Sequence, residues 1–378
     1  MTLVAPAGFA HRLKAEAYAR GAMLAGVTRL GPMETAAAYD DWIAKGYAGE
    51  MSYLERGAAK RRDSTLPVPG AVSALVIAVN YGGTEPDGPI ARYARGDDYH
   101  DVLVPMLRGI QDWASSELGV SVPGKAYTDT GPILERDLAR KAGLGWFGKN
   151  TMLISPKHGS FFFLGVLLLG LELEVDAPFV SDHCGTCTRC LEACPTEAFV
   201  EPRVMDATRC ISYLTIELKG EIPDEFRGKM GGLVYGCDVC QDVCPYNRKF
   251  SQELSLAAFA ARPLLDGQDA RSLATKLLGM SQPEFSASFK GSPMKRAKRV
   301  GLKRNAAVVL GNVGTESDIG TLIGALEDDE PLVRSHAAWA LGRLGGASAV
   351  AALQSRAAVE AAPDVIAAIA SALSGMST

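Results

Sequence analysis

The residues that most clearly indicate a chemical function are eight cysteines, all of which lie between positions 184 and 244. The first four stand in "CGTCTRCLEACP" with the spacing Cys-x2-Cys-x2-Cys-x3-Cys-Pro, and the last three stand in "CDVCQDVCP". One more, Cys210, lies alone between the two runs. Cysteines confined to one segment of an intracellular protein indicate metal binding rather than disulfide crosslinks.

The spacing of the first run is that of bacterial ferredoxins, in which three cysteines bind one four-iron cluster and the fourth binds the other. Cys210 supplies the ligand that the second run lacks. We therefore predict two [4Fe–4S] clusters, one held by Cys184, Cys187, Cys190 and Cys244 and one by Cys194, Cys210, Cys237 and Cys240. Structural zinc is the alternative, although zinc sites need neither the fused third cysteine nor the two Cys-Pro endings.

A second candidate is Asp129, in "YTDTGPILER". An Asx-turn or a helix cap would explain an aspartate at this place. The functional alternative is a carboxylic acid that gives a proton to a reduced substrate.

The nearby stretch "GLGWFGK" matches the G-x-G-x-x-G fingerprint of dinucleotide-binding folds. That fingerprint requires a strand before it and a helix after it. Here a helical pattern precedes it and a strand-like pattern follows, so we interpret it as a tight helix-to-strand loop.

A basic run lies in the C-terminal third, because no acidic residue occurs between Glu284 and Glu316. Solvated surface side chains would explain such a run. Alternatively, it could neutralise phosphates and position an RNA without reading its bases. The basic residues of the interval are Lys290, Lys295, Arg296, Lys298, Arg299, Lys303 and Arg304.

Four regions should position these groups. Alternating helix and strand patterns predict an α/β domain over residues 1–178, followed by the ferredoxin-like segment at 179–250 and a basic helical connector at 251–300. In residues 301–378, "NAAVVLGNVG" recurs as "HAAWALGRLG", and an apolar helix follows each copy. These helix pairs resemble HEAT repeats, while a plain helical cap is the alternative.

Composition is that of an ordinary globular protein, with 47% hydrophobic residues and a formal net charge of −4. The longest apolar run, "FFFLGVLLLGL", is too short to cross a bilayer, and we interpret it as a buried strand. The N-terminus lacks the pattern of a signal peptide. We therefore expect a cytoplasmic protein with no membrane partner.

Several stretches together resemble the epoxyqueuosine reductase family over nearly the whole chain. They are "ARYARGDDYHDVL", "YTDTGPILERDLARKAGLGWFGKNTMLI", "HGSFFFLG", "CGTCTRCLEACPTEA", "RCISYLTIE", "PDEFR" and "YGCDVCQDVCPYN". The resemblance implies an enzyme that reduces epoxyqueuosine to queuosine at the wobble position of tRNAs for Asp, Asn, His and Tyr. It also implies cobalamin on the α/β domain, with electrons passing from an unidentified low-potential donor through both clusters.

The resemblance further implies roles for single residues. Asp129 falls at the proton donor, Arg61 at a basic cobalamin contact, and Lys219 at a tRNA contact. Other cobalamin contacts are implied at Ala91, Leu153, Leu164, Ser212, Cys237 and Asp238.

Two alternatives stay open on the sequence. One is a cobalamin-dependent reductase of a small molecule, like the reductive dehalogenases. The other is a non-catalytic electron carrier, in which a ferredoxin module would be attached to a helical scaffold.

Overall fold

The computed structural model describes residues 3–376. Its N-terminal part is built on a four-stranded sheet of order β2-β3-β7-β4, in which every neighbouring pair is antiparallel. The strands of this part are β1 Leu3–Val4, β2 Leu24–Arg29, β3 Ser73–Asn80, β4 Gly124–Tyr127, β5 Trp146–Phe147, β6 Leu153–Ile154, β7 Phe162–Leu169 and β8 Leu171–Glu172. The helices are α1 Phe9–Ala19, α2 Ala36–Ala44, α3 Ala58–Arg62, α4 Tyr99–Leu118 and α5 Glu135–Lys141.

The two central strands are buried on both faces because helices cover the sheet on both sides. All eight residues of β3 are buried. Its odd-numbered apolar residues, such as Leu75 and Ile77, pack with α1 and α4, whereas Val76 and its even-numbered neighbours pack with α5. This period of two follows from the alternation of side chains along a strand. A mixed α/β part with a covered sheet is therefore confirmed, although the sequence did not indicate the antiparallel order.

Helix α4 has a capping residue at each end. The Asp98 carboxylate accepts the His100 backbone N–H at 3.0 Å, which satisfies one of the free donors of the first turn. Gly119 follows the helix with φ 64°, a left-handed conformation that a glycine adopts without strain. The helix brings Tyr99, its first residue, to the edge of the sheet that also carries Asp129.

The cysteine-rich segment consists of short elements joined by loops. They are α6 Arg189–Glu192, β9 Phe199–Glu201, β10 Val204–Met205, α7 Ile211–Ile216, α8 Asp224–Arg227, α9 Val239–Asp242 and α10 Pro245–Phe250. In each cysteine run the last thiol is followed by proline, and after Cys244 this proline occupies the first turn of α10. Proline suits that position because the first helical N–H has no partner within the helix.

The C-terminal part is helical throughout. Its helices are α11 Ala270–Leu278, α12 Gln282–Ser288, α13 Lys298–Val313, α14 Ile319–Ala325, α15 Pro331–Leu344, α16 Ala347–Ala357 and α17 Pro363–Met376. The two copies of the repeat are α13 with α14 and α15 with α16, and both pairs belong to one apolar core. Among residues 3–376, no helix has the length and apolar character needed to span a membrane.

Candidate functional site

Asp129 lies two residues beyond the end of β4, with its side chain exposed. Its φ of 58° is unusual for a residue with a Cβ and costs energy that the surroundings must supply. The preceding residue supplies an anchor, because the buried Thr128 hydroxyl donates to the Leu164 carbonyl at 2.7 Å. Asp129 is therefore held in a left-handed conformation at the edge of the sheet, one residue beyond the anchor to Leu164.

Two further residues hold Asp129 in place. The Tyr99 hydroxyl donates to the Asp129 Oδ2 atom at 2.8 Å, and the Asp129 backbone N–H donates to the Glu135 Oε1 atom at 2.7 Å. Burial, aided by the Asp129 carboxylate, raises the pKa of Tyr99 well above its usual range, so the hydroxyl remains a donor. Burial and the same carboxylate raise the pKa of Glu135 to about 8. The sequence analysis assigned no role to Tyr99 or Glu135.

Tyrosine rings extend from Asp129 towards the cysteine-rich segment. The Tyr99 ring stacks on Phe163 at 4.6 Å, and the Tyr93 ring lies 6.3 Å from Tyr99 and 6.4 Å from Tyr235. Tyr93 and Tyr99 are half-buried, whereas Tyr235 is fully buried. These rings and Leu164 give an apolar surface beside the exposed Asp129, and a large flat cofactor requires such a surface.

The expected cofactor residues on the cluster side meet the α/β part directly. The Ala91 N–H donates to the Tyr235 carbonyl at 2.9 Å, and the Arg92 N–H donates to the Asp238 Oδ2 atom at 2.8 Å. A Cβ added to Gly236 would lie 2.6 Å from the Ala91 Cβ, so only glycine allows this approach. The structure thus brings Ala91 together with Cys237 and Asp238.

Arg61, Leu153 and Ser212 occupy three other places around this region. Arg61 is buried, its Nη1 donates to the Leu54 carbonyl at 3.1 Å, and its charge partly offsets the rise in the pKa of Glu135. Leu153 is buried in the core on the side of α5. Ser212 is half-buried in the first turn of α7, which contacts the Cys237 segment because the Gly236 N–H donates to Thr215.

The eight thiols fall into two groups of electrostatic neighbours. Burial is the main cause that raises the pKa of Cys190, and Cys184, Cys244 and Cys187 raise it further. Burial also raises the pKa of Cys237, and the neighbouring thiols that add to this rise are Cys210 and Cys194. The pKa of Cys240 is raised by burial, by Cys237 and Cys210 and also by Cys190 of the first group. These neighbours are consistent with the ligand sets predicted from the spacing, which stay a prediction.

The first group surrounds a cavity of about 170 Å³ that is lined mainly by apolar atoms. The Trp146 Nε1 donates to the Cys184 Sγ atom at 3.4 Å, and the Lys149 Nζ donates to the Gly185 and Cys187 carbonyls at 2.7 and 3.0 Å. All four thiols of the first predicted set line this cavity, although their side chains do not form a preassembled metal-binding cluster among the described residues. Four cysteine thiolates are the ligands that a four-iron cluster requires. The lining residues are Lys149, Asn150, Ile154, His183, Cys184, Cys187, Arg189, Cys190, Cys244, Pro245 and Tyr246.

These contacts also explain the glycine-rich stretch 143–149. It runs from the end of α5 into β5, as the helix-to-strand interpretation predicted. Its side chains contact the cysteine loop of the first group. A Cβ on Gly145 would meet the Ile154 carbonyl oxygen at 2.1 Å, so the close approach of β5 and β6 requires glycine here.

Two members of the basic run are not available to an RNA, which corrects the sequence analysis. Arg304 is 1% exposed and donates to the carbonyls of Leu214, Leu218 and Gly220 at 2.6–2.8 Å. Lys303 is also buried and donates to Asp328 at 2.7 Å. Both cations satisfy groups inside the protein, so neither contacts a surface ligand.

The other basic residues reach the surface. Lys219, Lys295, Arg296 and Lys298 are exposed, and Arg299 is half-buried, 3.9 Å from Asp328. The Arg296 guanidinium donates twice to Glu217 and lies 5.5 Å from the centre of the Tyr53 ring. Burial, Glu217 and the Asp129 carboxylate together raise the pKa of Tyr53 to about 12.

Comparison with known proteins identifies the family. Residues 61–130 match the family described as epoxyqueuosine reductase QueG, DUF1730. An epoxyqueuosine reductase of Xanthomonas campestris is 39% identical over 354 residues, which are 90% of this chain and 97% of that protein. The chain belongs to the epoxyqueuosine reductase family. The Escherichia coli member is 37% identical over 342 residues, 88% of each chain.

Solved members of the epoxyqueuosine reductase family share the whole fold. A crystal structure with an epoxyqueuosine-modified stem loop of tRNA-Tyr has a TM-score of 0.87 and 31% identity, and covers 97% of this chain and 98% of that one. The Bacillus subtilis enzyme, solved with its catalytic aspartate loop swung out of the active site, has a TM-score of 0.86 and 30% identity, over 97% of this chain and 98% of that one.

Two further family models cover the rest of the molecule. Residues 183–247 match a 4Fe-4S double cluster binding domain, and residues 295–374 match HEAT repeats. The predicted enzyme of queuosine biosynthesis, its [4Fe–4S] clusters and its repeats are confirmed. Structural zinc and a non-catalytic carrier, the alternatives left open by the sequence, are wrong.

Proposed function

We propose that this chain reduces epoxyqueuosine to queuosine at the wobble position of the tRNAs for Asp, Asn, His and Tyr. Its cofactors in this proposal are cobalamin and two [4Fe–4S] clusters, and Asp129 is the proton donor. The observation that carries the proposal is the exposed Asp129, held at the sheet edge between Tyr99 and Glu135. Support also comes from the relative with a modified tRNA stem loop, whose fold this chain shares.

The reaction needs two electrons and two protons, because the epoxide oxygen leaves as water and an alkene remains. When bound, the clusters supply electrons singly and cobalamin supplies a strongly reducing cobalt centre. The chain's own task is to orient the nucleoside and to protonate the leaving oxygen.

The hydrogen bonds around Asp129 suit a proton donor. Tyr99 donates to Oδ2, so the acidic proton of Asp129 belongs on Oδ1, which has no partner within the described chain. A carboxylic acid with one oxygen fixed in this way can present its O–H to a leaving alkoxide. The Glu135 contact fixes the backbone and thereby the direction of the side chain.

Cobalamin would lie on the apolar surface of Tyr93, Tyr99 and Leu164, between the sheet edge and the cysteine-rich segment. We assign its contacts to Arg61, Ala91, Asp129, Leu153, Leu164, Ser212, Cys237 and Asp238. Ala91 and Leu153 are buried, so their part is to shape the surface through backbone and apolar atoms.

The tRNA would bind on the basic side that includes Lys219, Lys295, Arg296, Lys298 and Arg299. Cations at this place neutralise phosphates, which fixes the position of an RNA without reading its bases. The exposed Tyr53 ring lies 5.5 Å from the Arg296 guanidinium, so it would offer a stacking surface to a base of an RNA held by these cations. Lys303 and Arg304 are left out because they are buried.

The decisive experiment replaces Asp129 by Asn in anaerobically prepared protein. Asn keeps an oxygen that can accept from Tyr99 but cannot give a proton, so turnover of an epoxyqueuosine stem loop should fall at least ~100-fold. Iron content and corrinoid absorption should remain at the wild-type level. Asp112→Asn, an exposed site on α4, is the control. Full activity of Asp129→Asn, measured by nucleoside mass spectrometry, would refute the assignment.

A further inference from the structure

The two groups of cysteines differ in their access to solvent. In the first group, the residues between the ligands, from Gly185 to Arg189, are exposed wherever they are not cysteine. In the second group, Asp238 and Gln241, which flank Cys237 and Cys240, are buried. The second group also contacts the segment at Ala91–Arg92, on the side of Asp129. An electron arriving from another protein therefore meets the first group.

Four exposed cations lie in this loop or in the segments next to Cys244, the fourth thiol of the first group, and we call them the donor face: Lys157, Arg189, Arg248 and Lys249. Arg189 lines the cavity of the first group. Arg248 lies one helical turn beyond Cys244, since its backbone N–H donates to the Cys244 carbonyl at 3.0 Å. Lys157 lies in a loop that packs on α10, because the Ser160 N–H donates to the Asn247 Oδ1 atom at 2.6 Å.

The positive charge of the donor face is not neutralised within the protein. None of its four side chains forms an ion pair with a carboxylate of residues 3–376. Asp182 pairs with Arg203 and Asp242 pairs with Arg92. The carboxylate of Glu192, in the same short helix as Arg189, accepts only from the Thr188 hydroxyl within residues 3–376, so the four cations still outnumber this one unpaired carboxylate. A local positive field on a chain of net charge −4 attracts an acidic partner and raises its rate of association.

We propose that the donor face is the docking site of an acidic protein that carries single electrons. The carrier's redox centre loses one electron, the first cluster gains it, and no proton or bond changes. A dinucleotide is not the direct donor in this proposal, because the stretch 143–149 lacks the strand-loop-helix order that a pyrophosphate requires. The proposal rests on the proposed function only in that the clusters carry electrons, and it is independent of the substrate.

The test compares two triple variants with the same change of charge. Arg189→Glu/Arg248→Glu/Lys249→Glu alters the donor face, and Arg108→Glu/Lys125→Glu/Lys276→Glu alters exposed residues outside it. Bleaching of the cluster absorption is followed by anaerobic stopped flow, with a reduced acidic [2Fe–2S] ferredoxin as the probe. At low salt the first variant should react ~10-fold or more slowly than wild type, while the control stays within ~2-fold.

Salt and a small reductant separate docking from changes in the cluster. The wild-type rate should fall as ionic strength rises, whereas the rate of the donor-face variant should depend little on salt. With dithionite both variants should be reduced at the wild-type rate.

Three results would overturn the proposal. In the first, ferredoxin reduces the donor-face variant as fast as wild type. In the second, the variant loses the same factor in rate with ferredoxin and with dithionite. In the third, the variant loses affinity for the stem loop but is still reduced by ferredoxin at the wild-type rate. A failure of the proposed function would look different, because no queuosine would then form with either reductant while the docking rates stayed as predicted.

Discussion

Replacing Arg304 by Met should destabilise the protein strongly, although Arg304 belongs to a basic run whose other members are mostly exposed. Its guanidinium donates to Leu214 at 2.6 Å, to Leu218 at 2.8 Å and to Gly220 at 2.7 Å. Leu214 lies in the last turn of α7, where helix carbonyls have no partner within the helix. Met has a similar volume but donates no hydrogen bond, so three carbonyls would lose their partner.

The size of the effect follows from these contacts. The buried acceptors are the Leu214 carbonyl and the Asn305 Oδ1 atom, whereas the Leu218 and Gly220 carbonyls are partly exposed and can bond to water. A buried acceptor left without a donor costs about 1–3 kcal/mol, so the two would cost about 2–6 kcal/mol. Burial lowers the pKa of Arg304 to about 10, so the cation itself is held at a cost. Removing that charge recovers part of the loss, and we expect a net decrease of about 2–4 kcal/mol in the free energy of unfolding.

Denaturant unfolding of the anaerobic protein, followed by circular dichroism, measures this decrease. Lys295→Met is the matched control, since Lys295 is exposed and in the same basic run. It should change stability by less than ~0.5 kcal/mol and weaken binding of the tRNA stem loop. Arg304→Lys keeps the charge but has fewer hydrogen-bond donors, so its stability should lie between that of Arg304→Met and that of Lys295→Met. The reasoning is wrong if Arg304→Met keeps wild-type stability but loses stem-loop affinity.

Two other substitutions test the site more locally. Glu135 has its pKa raised to about 8 from 4.5, so its favourable contribution to stability is complete below pH 4.5 and is lost as pH rises through 8. Wild-type stability should therefore fall between pH 5 and 8 by up to ~1.4 kcal/mol per pH unit more than that of Glu135→Gln, and parallel pH profiles of thermal unfolding would contradict this. The hydrogen bond from Trp146 to the Cys184 sulfur would stabilise the reduced cluster. Trp146→Phe removes this hydrogen bond, so the midpoint potential of one cluster should fall by ~20–60 mV. An electron paramagnetic resonance titration checks this, with Trp113→Phe as a control, and an unchanged potential would show that the N–H does not affect the cluster.

Elements with a strong local pattern could be predicted from the sequence, whereas the pairing of strands could not. Strand β7 matches the strand predicted from "FFFLGVLLLGL" because a continuous apolar run is a local signal. The antiparallel partners of β3, which are β2 and β7, lie far apart along the chain and leave no such signal.

The same limit applies to the site residues. The cysteine spacing predicted the double cluster domain, because the cysteines within each run are close in sequence. Tyr99 contacts Asp129 across 30 residues and was not assigned. Arg304 was misassigned for the same reason, since its acceptor carbonyl on Leu214 is 90 residues away. A run of basic residues has the same sequence pattern whether its side chains face solvent or donate hydrogen bonds to carbonyl groups in the interior.

The exchange of cysteines between the two runs has a consequence for maturation. Cys194 ends the first run but has Cys210 and Cys237 as electrostatic neighbours, and Cys244 ends the second run but has Cys184 as one. In the predicted ligand sets, each cluster therefore takes ligands from both runs and is complete only when the chain between the runs has folded back. With these sets, we expect insertion of iron and folding of this segment to depend on each other, and loss of one cluster to weaken the binding of the other.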